Sequence, residues 1–445
     1  MQSMTRGESR SFARQSAWMM AATLASGMAM MLVHTFVSKR CGPRAYAEFK
    51  TLLSTFYVVA AVGGGFWMLF GQRTAAAITD SQRMAVASSA RRAVGLILGL
   101  GALAAGALYQ FQADLVALWK LSSAWGLWAT WLLGVLTLWV SVARGMVQGR
   151  QAFGVLGWMA ILDGLGRFGM VVLLVLMLGG GAASVIGGAV LGCGAALVVG
   201  LWSARDVWML RSSRADEAGK GAGMRLEGLL PLSLNAAALQ MFQQYDNLFW
   251  QGAIPAEVFA AWNLGATYSP AQTVGFAITQ LTVPLALVMM PRVARSAARG
   301  EKSDTLKLAL ICTGGMGVIA ASVCSIFPQL PLRIMFFNRP ENWAASPLVP
   351  WFAWAMVLFT VANVLLNDLF ARRRLGVVAA VVAVSVAYIA VLNAIRPHLL
   401  TLAPADAYRT ALMVLCGSTA LLLVVSSIAV LWAGKADRSA DSRLA

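Results

Sequence analysis

Residues 375–395 read Leu375-Gly-Val-Val-Ala-Ala-Val-Val-Ala-Val-Ser-Val-Ala-Tyr-Ile-Ala-Val-Leu-Asn-Ala-Ile395, with arginine on either side at Arg374 and Arg396. No charge interrupts the run. Its length matches the roughly 20 apolar residues that a helix needs to cross hydrocarbon. Apolar and polar residues do not alternate in it, as they would in a barrel strand of about ten residues. An unpaired backbone group in lipid costs several kcal/mol, so only helices and closed barrels span, and this pattern selects a helix.

Working outward, comparable runs lie at 15–37, 45–70, 93–111, 121–143, 154–178 and 184–204, then at 228–252, 258–290, 306–328, 347–371 and 408–432. The sequence therefore predicts an all-α integral membrane protein with about twelve transmembrane helices. Composition agrees: 445 residues are 59% hydrophobic and 12% charged, with a mean hydropathy of +0.71. A soluble domain carries about 25% charged residues, so this chain needs lipid as its solvent. The first run is long and has no small-residue cleavage site after a short apolar core, so it reads as a retained span and not a signal peptide.

The net charge of +17 could suggest nucleic acid, but membrane topology accounts for much of it. Lysine and arginine concentrate in cytoplasmic loops. With the N-terminus inside, 25 of the 35 basic residues fall on the cytoplasmic side, which orients both termini there. The cluster from Lys39 to Lys50 runs against this bias. No nucleic-acid partner is expected. The five cysteines form no CxxC pair and four sit in apolar runs, so they read as packing residues. No metal and no cofactor are expected. The sequence has no GxxxxGK[ST] phosphate loop, HExxH or GxSxG, and no long polar loop, so an enzyme is disfavoured.

The most polar stretch, 205–226, divides the runs six and six. The expected organisation is an N-terminal lobe at 1–214, a cytoplasmic linker at 215–226, a C-terminal lobe at 227–433 and a cytoplasmic tail at 434–445. A local pattern recurs after the first and seventh runs: Pro43-Arg-Ala-Tyr46-Ala47-Glu-Phe49, and Pro255-Ala-Glu-Val-Phe259-Ala260-Ala-Trp262. The fourth and tenth runs also both end in basic residues. An even number of spans per half makes a parallel repeat, two six-helix bundles related by a pseudo-two-fold axis along the membrane normal, with substrate at their interface.

Ionisable groups inside spans are functional candidates, because each costs about 2.5–3.5 kcal/mol to insert. Asp163 and Arg167 lie four residues apart on one helical face. They read either as an internal ion pair or as an anion site in which Arg167 meets a phosphate headgroup through its planar donors. In the seventh run, Gln240, Gln244, Asn247 and Gln251 form one stripe, with Asn235 and Asp246 near it. Amides on a stripe serve interhelical hydrogen bonds or line a wet cavity wall that matches sugar hydroxyls. Asp368 can pair with Arg372 one turn later, and reads as a helix-end ion pair more than as a coupling group. Gly188, Gly192, Ala196 and Gly200, and likewise Gly95 and Gly99, have the spacing of close helix packing. Pro270, Pro284 and Pro291 predict a bent eighth span.

Several of these segments resemble the Wzx-type polysaccharide and O-antigen flippases of the multidrug/oligosaccharidyl-lipid/polysaccharide (MOP) exporter superfamily. They are Pro43 to Phe49, Arg144-Gly-Met-Val-Gln-Gly-Arg-Gln-Ala-Phe153, and the series Leu230-Pro-Leu-Ser, Tyr245-Asp246-Asn, Phe259-Ala-Ala-Trp262 and Pro291-Arg292. Ala47 and Ala260 depart from the pattern where a glycine often stands, and the absence of further spans argues against the fourteen-span lipid II type. The resemblance implies a MATE-like fold in the bacterial inner membrane. It implies flipping of an undecaprenyl-pyrophosphate-linked oligosaccharide by alternating access, for lipopolysaccharide or exopolysaccharide synthesis. Partners would be the lipid-linked oligosaccharide, the bilayer and a polysaccharide polymerase or glycosyltransferases. Asp163 and Asp246 are the candidates for ion coupling. The alternatives are a MATE-type multidrug cation antiporter and a non-transporting scaffold of a polysaccharide synthase complex.

Overall fold

A computed structural model describes residues 6–77, 79–208, 229–280, 305–337, 339–371 and 374–441. The described residues form helices joined by short turns, with no strand among them. The principal helices are α1 (Arg6–Ala76), α2 (Asp80–Leu118), α3 (Trp125–Gly149), α4 (Phe153–Ile161), α5 (Arg167–Leu178), α6 (Ala182–Ser203), α7 (Leu229–Ala253), α8 (Thr305–Ile326), α9 (Gln329–Met335), α10 (Val349–Ala371), α11 (Val377–Ala394) and α12 (Pro404–Asp441).

Eight described helices are long and apolar enough to cross a membrane, and nine if Leu310–Ile326 and Gln329–Met335, bent by 98°, are one broken span. The difference from twelve has local causes. α1 contains the first two predicted spans, joined at Gly42, whose φ of 81° breaks the helix. Glycine takes positive φ without a Cβ penalty, and Pro43 then restarts the helix with its fixed φ. α7 is long enough but too polar to pass, and the eighth predicted span leaves the described residues after 280. Pro284 and Pro291 lie outside the described residues, and Pro270 sits in the first turn of helical residues 269–280. A proline there replaces an N–H that has no partner anyway, so it starts that helix instead of bending it.

Large apolar side chains face outward along the long helices, among them Leu100 and Leu103 on α2, Leu176 and Met177 on α5, and Leu431 and Trp432 on α12. An exposed apolar surface this extensive is suited to lipid, not water.

The chain forms two compact units, Met1–Ala237 and Ala238–Ala445, with the division inside α7. In the first unit, Phe66, Phe70, Ala90, Ile97, Val142, Met146 and Leu229 share one core. The first turns of α7 belong there, where Ser233 Oγ donates to the Val62 carbonyl at 3.4 Å. Small residues let backbones approach closely. A Cβ on Gly145 would lie 2.6 Å from the Trp67 carbonyl oxygen, and one on Gly188 would lie 2.5 Å from the Val171 nitrogen. Gly95 and Gly99 have nothing within 4 Å of such a Cβ, so their spacing is not a packing face within the described residues. In the second unit, α10 packs on α12 and on α8. The linker predicted at 215–226 and Arg372, the predicted partner of Asp368, lie outside the described residues.

The basic cluster that broke the charge bias has a structural explanation. Glu48 and Lys50 are buried within α1. Glu48 Oε1 lies 3.5 Å from Arg44 Nε, and its Oε2 accepts from Ser122 N–H at 3.0 Å and Ser122 Oγ at 2.7 Å. Part of this charge therefore serves the interior of the first unit, and the loop rule does not govern it.

Candidate functional site

The first unit holds a triad of two arginines and one carboxylate. Between α4 and α5 the chain forms a single widened turn, Leu162–Gly166, in the sequence Leu-Asp-Gly-Leu-Gly. Such turns recur at functional sites. Glycine is required here: a Cβ on Gly164 would fall 2.5 Å from Ser26 Cα in α1. On the α6 side, a Cβ on Gly192 would fall 2.3 Å from the Arg167 nitrogen. The glycines thus set the depth at which Asp163 and Arg167 sit.

Asp163 divides its two oxygens between two helices. Oδ1 is 2.5 Å from Arg167 Nη2, and Oδ2 accepts from Arg144 Nη2 of α3 at 2.8 Å. Both guanidinium groups lie over aromatic rings, Arg167 at 5.4 Å from the Phe56 centroid and Arg144 at 5.7 Å from that of Trp67. Cation–π contact at this range stabilises a desolvated arginine. Trp67 Nε1 in turn donates to Gln148 Oε1. The Arg167 side chain is 6% exposed, whereas Asp163 and Arg144 keep 18% and 17%. No second carboxylate pairs with either arginine among the described residues, so the triad carries one surplus positive charge. Arg167 Nε is buried and has no hydrogen-bond partner there. A buried donor without a partner is costly and marks a place where a ligand atom could satisfy it.

The second unit holds Asp246 on α7, which is buried. Its Oδ2 accepts from Tyr268 OH at 2.7 Å, and its Oδ1 from Gln272 Nε2 at 2.7 Å and from the Asn247 backbone N–H at 2.9 Å. Gln272 also donates to the Gln243 carbonyl at 3.2 Å. Aromatic rings close around this cluster: Trp250 meets Tyr408 edge-on at 4.9 Å, and Tyr268 meets Phe352 at 5.2 Å. Tyr408 OH donates to the Trp262 carbonyl, tying the second Pro-aromatic segment to α12. That segment is not built like the first. Its helix breaks at Asn263, in the left-handed conformation with φ 45°, whereas Tyr46 and Phe49 lie in uninterrupted helix beyond Gly42.

The residues predicted from sequence therefore fall into separate places. Asp163 and Arg167 meet, as their spacing requires, and Asn235 also belongs to the first unit. Gln240, Gln244, Asn247, Gln251 and Asp246 belong to the second. Gln244, Asn247 and Gln251 are buried, and Asn247 Oδ1 accepts from Ser269 Oγ at 3.2 Å, an interhelical bond. Asn235 Oδ1 and Gln240 Oε1 are buried without a partner among the described residues. Sequence reasoning missed Arg144, which it assigned to a cytoplasmic loop, as well as Tyr268 and Gln272.

No family model and no curated protein matches this sequence. Solved structures do match over nearly the whole chain. One is a eukaryotic MATE transporter, with a TM-score of 0.63 at 13% identity over 94% of this chain and 95% of that one. Another is an inward-facing multidrug-resistance MATE transporter of the MOP superfamily, with a TM-score of 0.66 at 11% identity over 94% and 96%. A third is a MOP-superfamily transporter from Pyrococcus furiosus, described as having a binding pocket of reverse polarity, with a TM-score of 0.64 at 10% identity over 94% and 95%. The chain is a multi-pass, all-α membrane protein with the fold of the MATE transporters of the MOP superfamily.

Proposed function

We propose that this chain is a flippase that moves an anionic, lipid-linked oligosaccharide, of the undecaprenyl-pyrophosphate class, across the bacterial inner membrane by alternating access. Both termini would be cytoplasmic, following the bias of the basic residues. The observation that carries this reading is the triad: two guanidinium groups converge on one carboxylate and leave, among the described residues, a positive charge and an unsatisfied donor at membrane depth. Arginine binds phosphate through paired, planar donors. The amide oxygens of Asn235 and Gln240, which have no partner among the described residues, suit the hydroxyl donors of sugars. Gln244, Asn247 and Gln251 share the helix face of Gln240, and Asp163 and Asp246 are the candidates for coupling to an ion gradient. For the Pyrococcus furiosus transporter of this fold, a binding pocket of reverse polarity is described as suggesting a different function.

A cation antiporter is the second reading. The buried carboxylate of Asp246 beside Tyr268, Trp250 and Tyr408 favours it, since aromatic faces and a carboxylate suit organic cations. Two structural neighbours are described as multidrug-resistance MATE transporters. The separating experiment is deletion of the gene, followed by assay of lipid-linked oligosaccharide on the cytoplasmic leaflet and of drug sensitivity. The flippase reading expects the oligosaccharide lipid to accumulate and to be cleared by the wild-type gene but not by an Arg144→Gln/Arg167→Gln version. Drug sensitivity without accumulation would contradict it.

A further inference from the structure

The geometry points to Asp163 as an internal competitor for the anion site: its carboxylate occupies the fork between Arg144 and Arg167 that a phosphoryl group of the substrate would take, and binding proceeds by exchanging one for the other. The inference rests on the proposed anionic substrate and adds how the site is held when empty. Three features support it.

First, the carboxylate is shared, one oxygen to each arginine: Oδ2 accepts a hydrogen bond from Arg144 at 2.8 Å, whereas Oδ1 lies 2.5 Å from Arg167 Nη2 as an ion pair and, like Arg167 Nε, has no hydrogen-bond partner among the described residues. Two oxygens of a tetrahedral phosphoryl group can bridge two guanidinium groups in the same manner. Second, the exposures are graded. Arg167 is sealed at 6%, while Asp163 and Arg144 keep 18% and 17%, so the carboxylate and Arg144 stand together on the accessible side of Arg167. Third, the carboxylate does not complete the site. Among the described residues Arg167 Nε has no partner, and one positive charge is left over. A structural counter-ion chosen for neutrality would leave neither. A group bearing more negative charge and a third acceptor satisfies both arginines better than Asp163 does.

Asp163 therefore holds the arginines in place and partly neutralises them in a low-dielectric interior when substrate is absent, and lowers the apparent affinity for substrate by the fraction of time it fills the fork. That weakening also favours release, because the returning carboxylate displaces the product. The ligand chemistry is a phosphoryl or diphosphate anion, whether on a lipid or free in solution.

The test uses the full-length protein in nanodiscs and measures equilibrium binding of two probes, inorganic pyrophosphate and a short polyprenyl diphosphate. Asp163→Asn is expected to tighten binding by roughly tenfold, within the 5- to 150-fold range of typical site coupling, and to slow release. Unchanged or weaker binding by Asp163→Asn overturns the exchange, even where wild type binds well. Failure of wild type to bind either probe overturns the anionic-substrate reading itself. Tightening with the lipid alone assigns the site to a headgroup, and tightening with pyrophosphate as well assigns it to the free diphosphate chemistry that the headgroup shares. If Asp163→Asn does not fold, wild type supplies the readout. A carboxylate displaced from its arginines loses the partners that shield it, so probe binding should raise modification of Asp163 by an apolar carbodiimide, read by peptide mass. Equal or lower modification overturns the proposal.

Discussion

Replacing Gly192 by alanine tests how the arginine site is set into the bundle. A Cβ at that position would lie 2.3 Å from the Arg167 nitrogen, 2.5 Å from its Cα and 2.7 Å from the Gly166 carbonyl carbon. All three neighbours are backbone atoms, so no side chain can swing aside. Ordinary contact begins near 3.5 Å, and α5 and α6 must therefore part by about 1 Å at the level of Arg167. Overpacking of this kind costs about 1–3 kcal/mol. Gly194 on the same helix has nothing within 4 Å of the place its Cβ would take and serves as the control. Its alanine variant gains helix propensity, worth up to about 1 kcal/mol in a helix interior. The assay is heat-induced loss of the monodisperse protein in detergent, with diphosphate binding measured on the surviving fraction. Gly192→Ala should lose stability and also weaken binding, because Arg167 moves with its backbone, whereas Gly194→Ala should change neither adversely. Equal behaviour of the two variants would refute the reasoning.

Other substitutions probe the remaining polar clusters. Glu48→Gln removes the charge from an acceptor of two Ser122 donors and should lower stability by about 1–3 kcal/mol, read by the same thermal assay, with Ser122→Ala the milder variant. Tyr268→Phe removes one donor from the buried Asp246 carboxylate at a cost of about 1–3 kcal/mol, and gradient-driven transport should fall with it. Asp246→Asn should abolish dependence on the ion gradient if this residue couples, and full transport by that variant would remove it from the role. Arg167→Lys should lower transport by at least tenfold, since an ammonium is a point charge without paired planar donors, and transport at the wild-type rate would argue against the two-point contact.

The helical membrane fold was legible because lipid imposes a length and a composition on every span. The first-unit ion pair was legible for the same reason: Asp163 and Arg167 are charged, inside a run and one turn apart. Arg144 was not, because its partner lies nineteen residues away and is reached only through tertiary packing, while its place at the end of a run suggested a loop. Tyr268 and Gln272 escaped for a related reason, since single aromatic and amide residues inside a run have many uses and only Asp246 on the neighbouring helix gives these two a shared one. The amide stripe was visible as a helix face, but periodicity does not say what the face meets; the structure supplies Ser269 opposite Asn247. Glycine spacing was equally double-edged: Gly188 and Gly192 pack against α5, whereas Gly95 and Gly99, with the same spacing, meet nothing within 4 Å.

The central claim is movement of an anionic lipid, and leaflet accessibility in proteoliposomes tests it most directly. Vesicles carrying a polyprenyl-diphosphate-linked oligosaccharide are treated with a membrane-impermeant glycosidase, with and without the protein, under an ion gradient. The account predicts that the wild-type protein exposes the whole pool, that protein-free vesicles expose only the outer leaflet, and that Arg144→Gln/Arg167→Gln behaves as the protein-free control. Gradient-driven uptake of an organic cation by the same vesicles, with the oligosaccharide lipid left in place, would contradict it.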